Sequence, residues 1–222
     1  MEKIGNITLY NADCMEVMKT FADKQFDLAI VDPPYGININ HNMGRRKGDA
    51  KSMYSPAYWD KEIPKAEYFE ELFRVAKQVI IWGGNYFPLP PTKCFIVWRK
   101  PQMSEGCSFS MLEYAWTNID STSKEFIGMS NEKNRMHPTQ KPVKLYEWIL
   151  NQFAKEGMRI LDTHGGSMSS MIACHRGGYE ATCIEMDKTY YEKAKKRLQE
   201  EMIQGSLFIP NVEQNTNQTS LF

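Results

Sequence analysis

The sequence predicts an α/β protein built on a mostly parallel, twisted sheet with helices on both faces. Three observations carry this. Short apolar and β-branched runs (Ile7–Tyr10, Leu28–Val31, Val79–Trp82, Arg159–Leu161, Ala181–Ile184) alternate with stretches whose apolar residues recur at helical spacing. Strands that alternate with helices pair in parallel, because each crossover returns the chain to the same end of the sheet. The chain has 222 residues, 42% hydrophobic and 12% aromatic, enough for one sizeable core.

In chain order, Ile7–Tyr10 reads as a strand, and Met15, Met18 and Phe21 as one face of a short helix. Leu28–Val31 is the next strand, and Ile37–Pro56 has no periodicity and reads as a long loop. Phe69, Leu72, Phe73 and Ala76 place an amphipathic helix over about Lys65–Lys77. Val79–Trp82, Cys94–Trp98 and Leu112–Thr117 read as strands, the first two bounded by Gly83-Gly84 and Pro90-Pro91. Ile119–Arg135 is polar and irregular. Leu145, Trp148, Ile149 and Phe153 mark a helix, and Ser169–Arg176 another. A last helix begins behind Asp187 as its cap and carries Tyr191, Ala194 and Leu198 roughly in line. The expected division is a domain over 1–203, with 36–58 and 102–136 as candidate recognition inserts and 204–222 as a flexible tail.

Charge and cysteine usage narrow the function. Net charge is zero and the isoelectric point is near 6.9, so any nucleic-acid contact must use local positive charge. Cys14, Cys94, Cys107, Cys174 and Cys183 are odd in number without a Cys-x-x-Cys pair, which reads as reduced thiols of a cytoplasmic protein. The four histidines lack ligand spacing, and no metal is expected. Met1–Asn6 has no apolar signal core, and no run approaches membrane-spanning length.

Asp32-Pro33-Pro34-Tyr35 follows the Leu28–Val31 strand directly. Two prolines fix φ and remove backbone donors, so the turn presents a carboxylate, stiff carbonyls and an aromatic ring at a strand's carboxyl end. That is where open α/β sheets place ligands. The set suits a planar substrate bearing an amino group. Further along, Asp162-Thr163-His164-Gly165-Gly166-Ser167-Met168 joins a strand to a helix, a corner where small residues admit a ligand close to the backbone. Glu185, just past the next strand, stands where nucleoside sites keep an acid for ribose hydroxyls.

With these motifs the chain resembles the amino-directed DNA methyltransferases, which methylate the N6 of adenine or the N4 of cytosine from S-adenosylmethionine. The likeness runs from about Tyr10 to Leu198, and its order resembles the family's permuted β group: the Asp-Pro-Pro-Tyr motif comes first, and the cofactor loop about 130 residues later. It implies a Rossmann-like methyltransferase fold. Asp32, Pro33, Pro34 and Tyr35 would be the catalytic set, acting on an extruded base in double-stranded DNA. Asp13, Asp32, His137, Pro138, Thr139, Lys141, Asp162, Gly166, Ser167 and Glu185 would meet S-adenosylmethionine. The Asp form of the motif leans to adenine N6; cytosine N4 is the rival, and a DNA-binding homologue with impaired cofactor binding a third reading. Thr163 and His164 stand where Pro-Phe is usual, and Met168 where the second glycine belongs, which predicts a weakened approach of backbone to cofactor.

Arg45, Arg46, Lys47 and Lys51 after the motif, and Lys124, Lys133 and Arg135 further on, are candidate DNA contacts. Short inserts imply a small recognition site or one shared with a second subunit as a homodimer. In the tail, Gln204-Gly205-Ser206-Leu207-Phe208 and Gln218-Thr219-Ser220-Leu221-Phe222 repeat one pattern. It resembles the peptide by which bacterial replication proteins dock on the sliding clamp.

Overall fold

The computed structural model describes residues 1–38, 60–103, 110–130 and 139–207. In chain order the elements are β1 (Glu2–Ile4), β2 (Ile7–Tyr10), α1 (Cys14–Met18), β3 (Phe26–Val31), α2 (Ala66–Val75) and β4 (Ala76–Trp82), then β5 (Phe95–Arg99), β6 (Leu112–Thr117) and β7 (Lys124–Ile127). The chain continues through α3 (Val143–Phe153), β8 (Arg159–Asp162), α4 (Ser169–Arg176), β9 (Glu180–Ile184) and α5 (Lys188–Leu207). The strands form one sheet in the order β1-β2-β9-β8-β3-β4-β6-β5-β7. Neighbours from β2 to β4 are all parallel, whereas β1 and β6 pair antiparallel. The expected α/β class and mostly parallel sheet are what is found.

Alternation along β3 explains why both faces are covered. Leu28 and Ile30 point into one core with Leu145 and Ile149 of α3, Met171 and Ile172 of α4 and Leu198 of α5. Ala29 and Val31 point into the other, with Val17 and Met18 of α1 and Leu72 and Val75 of α2. Each helix presents the stripe its spacing predicts. In α2 the buried residues are Tyr68, Phe69, Leu72 and Val75. Asp187 accepts from the N–H groups of Thr189 (2.7 Å) and Tyr190 (2.9 Å), capping α5 as expected.

Four expectations need correction. The second helix stops at Val75, because Ala76 already pairs with Phe26 in the sheet. Ladder pairing in the core outweighs continuing the helix. Inside the stretch read as irregular, Lys124–Ile127 adds β7 beside β5. The candidate insert 102–136 therefore contains two strands of the sheet, β6 between β4 and β5, and β7 beside β5. Helix α5 runs to Leu207, so the tail's first repeat starts within a helix. The second repeat, Gln218–Phe222, and most of the 36–58 insert lie outside the described residues.

Five parallel strands end on one rim. The chain leaves β2 at Asp13, β9 at Glu185, β8 at the Thr163–Ser167 corner, β3 at Asp32 and β4 at Gly83–Tyr86. Antiparallel β6 brings its first residues, Leu112 and Glu113, to the same rim.

Candidate active site

At that rim lies a cavity of about 790 Å³ whose lining includes Asp13, Asp32, Pro33, Pro34, Tyr35, Thr139, Lys141, Gly166, Ser167 and Glu185. Residues about 130 positions apart in sequence thus face one space. Asp162 is not part of this lining. It sits 3% exposed behind the corner, accepting from the His164 N–H at 3.0 Å and from the Ser170 hydroxyl at 2.5 Å. Burial raises its carboxyl pKa to about 7 against those two hydrogen bonds. These bonds tie it to the corner's backbone and to the start of α4.

The corner itself is built for close approach. Gly166 has φ +51°, and the nearest atom to an added Cβ there is 3.9 Å away, so its backbone borders open space. A Cβ on Gly165 would meet the Cys183 sulfur at 2.4 Å. Glu185 accepts from the N–H of Gly166 and of Asp187, both at 2.7 Å, and ties the corner to the end of β9. Burial raises its pKa. Arg197 of α5 donates to the Ser167 carbonyl at 2.8 Å and to the Ser169 hydroxyl at 3.0 Å.

Met168 adopts the left-handed conformation of a glycine (φ +55°) at the start of α4. Its side chain is fully buried in the core and is absent from the cavity wall. The backbone turns as a glycine would while the side chain packs the other way. Thr163 and His164, in place of Pro-Phe, form a hydroxyl–imidazole cluster with Tyr68 of α2. The Tyr68 and Thr163 hydroxyls are 2.7 Å apart, and Thr163 lies 3.0 Å from His164 Nδ1. Burial lowers the His164 pKa to about 4, with Asp13 opposing.

At the other end, both oxygens of Asp32 are engaged. Oδ1 accepts from the Tyr35 hydroxyl at 2.5 Å, and Oδ2 pairs with Lys141 Nζ at 2.5 Å. The turn is held from beneath by Asp60, which is fully buried and accepts from the N–H groups of Tyr35 (2.7 Å) and Gly36 (3.0 Å). The Tyr35 ring stacks on Tyr86, with centroids 5.0 Å apart and planes 14° from parallel. Gly83 (φ +71°) passes so close that a Cβ there would lie 2.2 Å from the Tyr35 ring. Sequence reasoning missed Asp60, Gly83, Tyr86 and Glu113, which no local motif ties to Asp32.

Lys141 is 5% exposed and sits 5.6 Å from the Tyr35 ring centroid and 5.2 Å from that of Trp82. Its ammonium also lies 3.2 Å from Glu113 Oε2, while Glu113 Oε1 pairs with Lys100. Burial by itself lowers the Lys141 pKa, but Asp32 and Glu113 together raise it above the ordinary value. Burial likewise opposes ionisation of Glu113, and Lys141 and Lys100 overcome it, so its pKa is lowered. Lys124, by contrast, opens β7 beside Ile96, at the amino end of its strand and away from the cavity wall. His137, Pro138, Arg45, Arg46, Lys47, Lys51, Lys133 and Arg135 lie outside the described residues. Among the described residues no helix is long and apolar enough to cross a membrane.

Comparison with known proteins agrees with this geometry. A family model described as DNA methylase, of the N6 and N4 type, matches residues 81–196. The chain is 42% identical to the type II methyltransferase M2.DpnII of Streptococcus pneumoniae, the alignment covering 89% of this chain and 91% of that one. It is 23% identical to the putative methylase YubD of Escherichia coli K12, over 87% and 92% of the two chains. The fold is similar to the crystal structure of the M1.HpyAVI–SAM complex, with TM-score 0.56, 23% identity and coverage of 86% and 99%. It is also similar to PvuII DNA methyltransferase, described as cytosine-N4-specific, with TM-score 0.57, 12% identity and coverage of 90% and 94%. The sheet is thus the Rossmann-like sheet of the methyltransferases, and the chain belongs to the N6/N4 DNA methylase family.

Proposed function

We propose that the protein transfers a methyl group from S-adenosylmethionine to the N6 amino group of an adenine extruded from double-stranded DNA. One observation carries the reading: Asp32 and the Gly166–Glu185 corner line one cavity of about 790 Å³. The residues present fit the cofactor. Gly166 leaves room for backbone approach, Glu185 offers a carboxylate to ribose hydroxyls, and Asp13 and Thr139 stand on the same wall. When bound, the cofactor supplies an electrophilic sulfonium methyl group and leaves as the neutral thioether.

The chain's own work is done on the base. An exocyclic amine is a weak nucleophile because its lone pair is conjugated with the ring. Asp32 and the Pro33 carbonyl accept its two N–H hydrogens, which draws the nitrogen toward sp³ character and frees the lone pair for the methyl carbon. As the N–C bond forms and the C–S bond breaks, one amino proton leaves along the hydrogen bond to Asp32. Tyr86, exposed at the cavity and stacked on Tyr35, supplies the aromatic surface for the extruded base.

The rival product is N4-methylcytosine, because a solved relative of similar fold is described as cytosine-N4-specific. Nucleoside mass spectrometry of unmodified genomic DNA incubated with the protein and labelled cofactor separates the two. N6-methyladenine is expected. N4-methylcytosine alone would overturn the adenine reading, and no product together with no calorimetric cofactor binding would leave a DNA-binding homologue with impaired cofactor binding.

A further inference from the structure

Each oxygen of Asp32 already holds one short partner, Tyr35 on Oδ1 and Lys141 on Oδ2, both at 2.5 Å, and keeps a second lone pair. An amino group that donates along either of these two directions takes the place of the partner there. Tyr35 is the poor candidate. Its ring is wedged between Tyr86 and the Gly83 backbone, and its N–H is fixed by Asp60. Lys141 has somewhere to go. Its ammonium is already 3.2 Å from Glu113 Oε2, and Lys100 fixes Glu113 through the other oxygen. The rings of Tyr35 and Trp82 flank the ammonium at 5.6 and 5.2 Å, so a charge moving between two carboxylates remains against aromatic faces.

We propose that Lys141 is a positioning residue for the target base: it holds the Asp32 carboxylate before the base arrives and passes it to the base amino group by moving onto Glu113. The inference rests on the reading that Asp32 accepts the amino group. It assigns Lys141 to the base end of the cavity and gives Glu113 a part that no sequence motif suggests. The two carboxylates and two ammoniums of Asp32, Glu113, Lys100 and Lys141 balance in charge. Transfer of the lysine between acids leaves that balance intact, whereas its departure to solvent would strand a half-buried anion. The movement is therefore short and internal.

Two variants test this by rescue. Glu113→Gln removes the receiving carboxylate while keeping the shape, so Lys141 stays on Asp32. Methylation is expected to fall at least a hundredfold in kcat, with the cofactor affinity measured by calorimetry within about fivefold of wild type. Lys141→Met added to Glu113→Gln frees Asp32 and removes the pair together. The double variant is expected to regain at least tenfold over the single one and to lie within thirtyfold of wild type. Contacting residues are non-additive even in a merely structural pair, which would show in unfolding stability and cofactor affinity. The positioning role shows instead in kcat at unchanged stability and affinity. A double variant that folds, binds cofactor and is no more active than Glu113→Gln overturns the proposal. If Glu113→Gln does not fold, the double variant alone decides: activity more than thirtyfold below wild type overturns it. Full activity in Asp32→Ala would instead refute the underlying role of Asp32, so the two failures are distinguishable.

Discussion

Met168 combines two demands in one residue. Its backbone takes a left-handed turn that costs a non-glycine residue about 1 kcal/mol, and its side chain fills the core. Met168→Gly relieves the first and forfeits the second, and truncating a buried methionine costs about 2–5 kcal/mol. The variant is expected to lose about 2–3 kcal/mol in denaturant unfolding, with its calorimetric affinity for S-adenosylmethionine unchanged within threefold. Tyr86 is one of the residues whose importance only the fold reveals. It is 42% exposed at the cavity yet stacked on Tyr35. Stacking on a base is worth about 1–3 kcal/mol. Tyr86→Ala is therefore expected to lower kcat/KM for DNA about tenfold, read against unaltered cofactor binding. Asp32 was legible because a strand, an acid and two prolines are contiguous. Glu113 and Asp60 were not, because only tertiary packing brings them to it.

At the scale of elements, the corner between β8 and α4 carries two opposed titrations. Asp162 has its pKa raised from 3.8 to about 7, so the stability it gives is full below pH 4 and is lost as pH rises toward 7. His164 has its pKa lowered from 6.5 to about 4, so its stability is full above pH 6.5 and is lost as pH falls toward 4. Between about pH 4 and 6.5 the slopes oppose each other. Removing one exposes the other: thermal unfolding of His164→Phe should show a melting temperature that falls as pH rises from 4 to 7, and Asp162→Asn one that rises from 4 to 6.5. Elements with strong periodicity, such as α3 and β3, were legible from their residues. The edge strands β1 and β7 were not, because three- and four-residue polar strands acquire their conformation from the neighbour they pair with. The α2–β4 junction was misplaced for a related reason, since Ala76 suits a helix locally and the sheet register decides.

Across the whole molecule, the site exists because parallel pairing from β2 to β4 gathers five strand ends on one rim. The permuted order of motifs does not disturb this, because the sheet places β3 beside β8 although about 130 residues separate them. Motif identity and order made the two halves legible. The half-buried ion network joining Asp32, Lys141, Glu113 and Lys100 was not, since its partners lie up to 109 residues apart and share no spacing. The account turns on Asp32 acting on a base while the Gly166–Glu185 corner holds the methyl donor. Single-turnover methyl transfer to DNA by Asp32→Ala, with calorimetric titration of the same preparation, tests that division most directly. Transfer falling at least a thousandfold with cofactor affinity kept within tenfold is the predicted result, and transfer at the wild-type rate would contradict it.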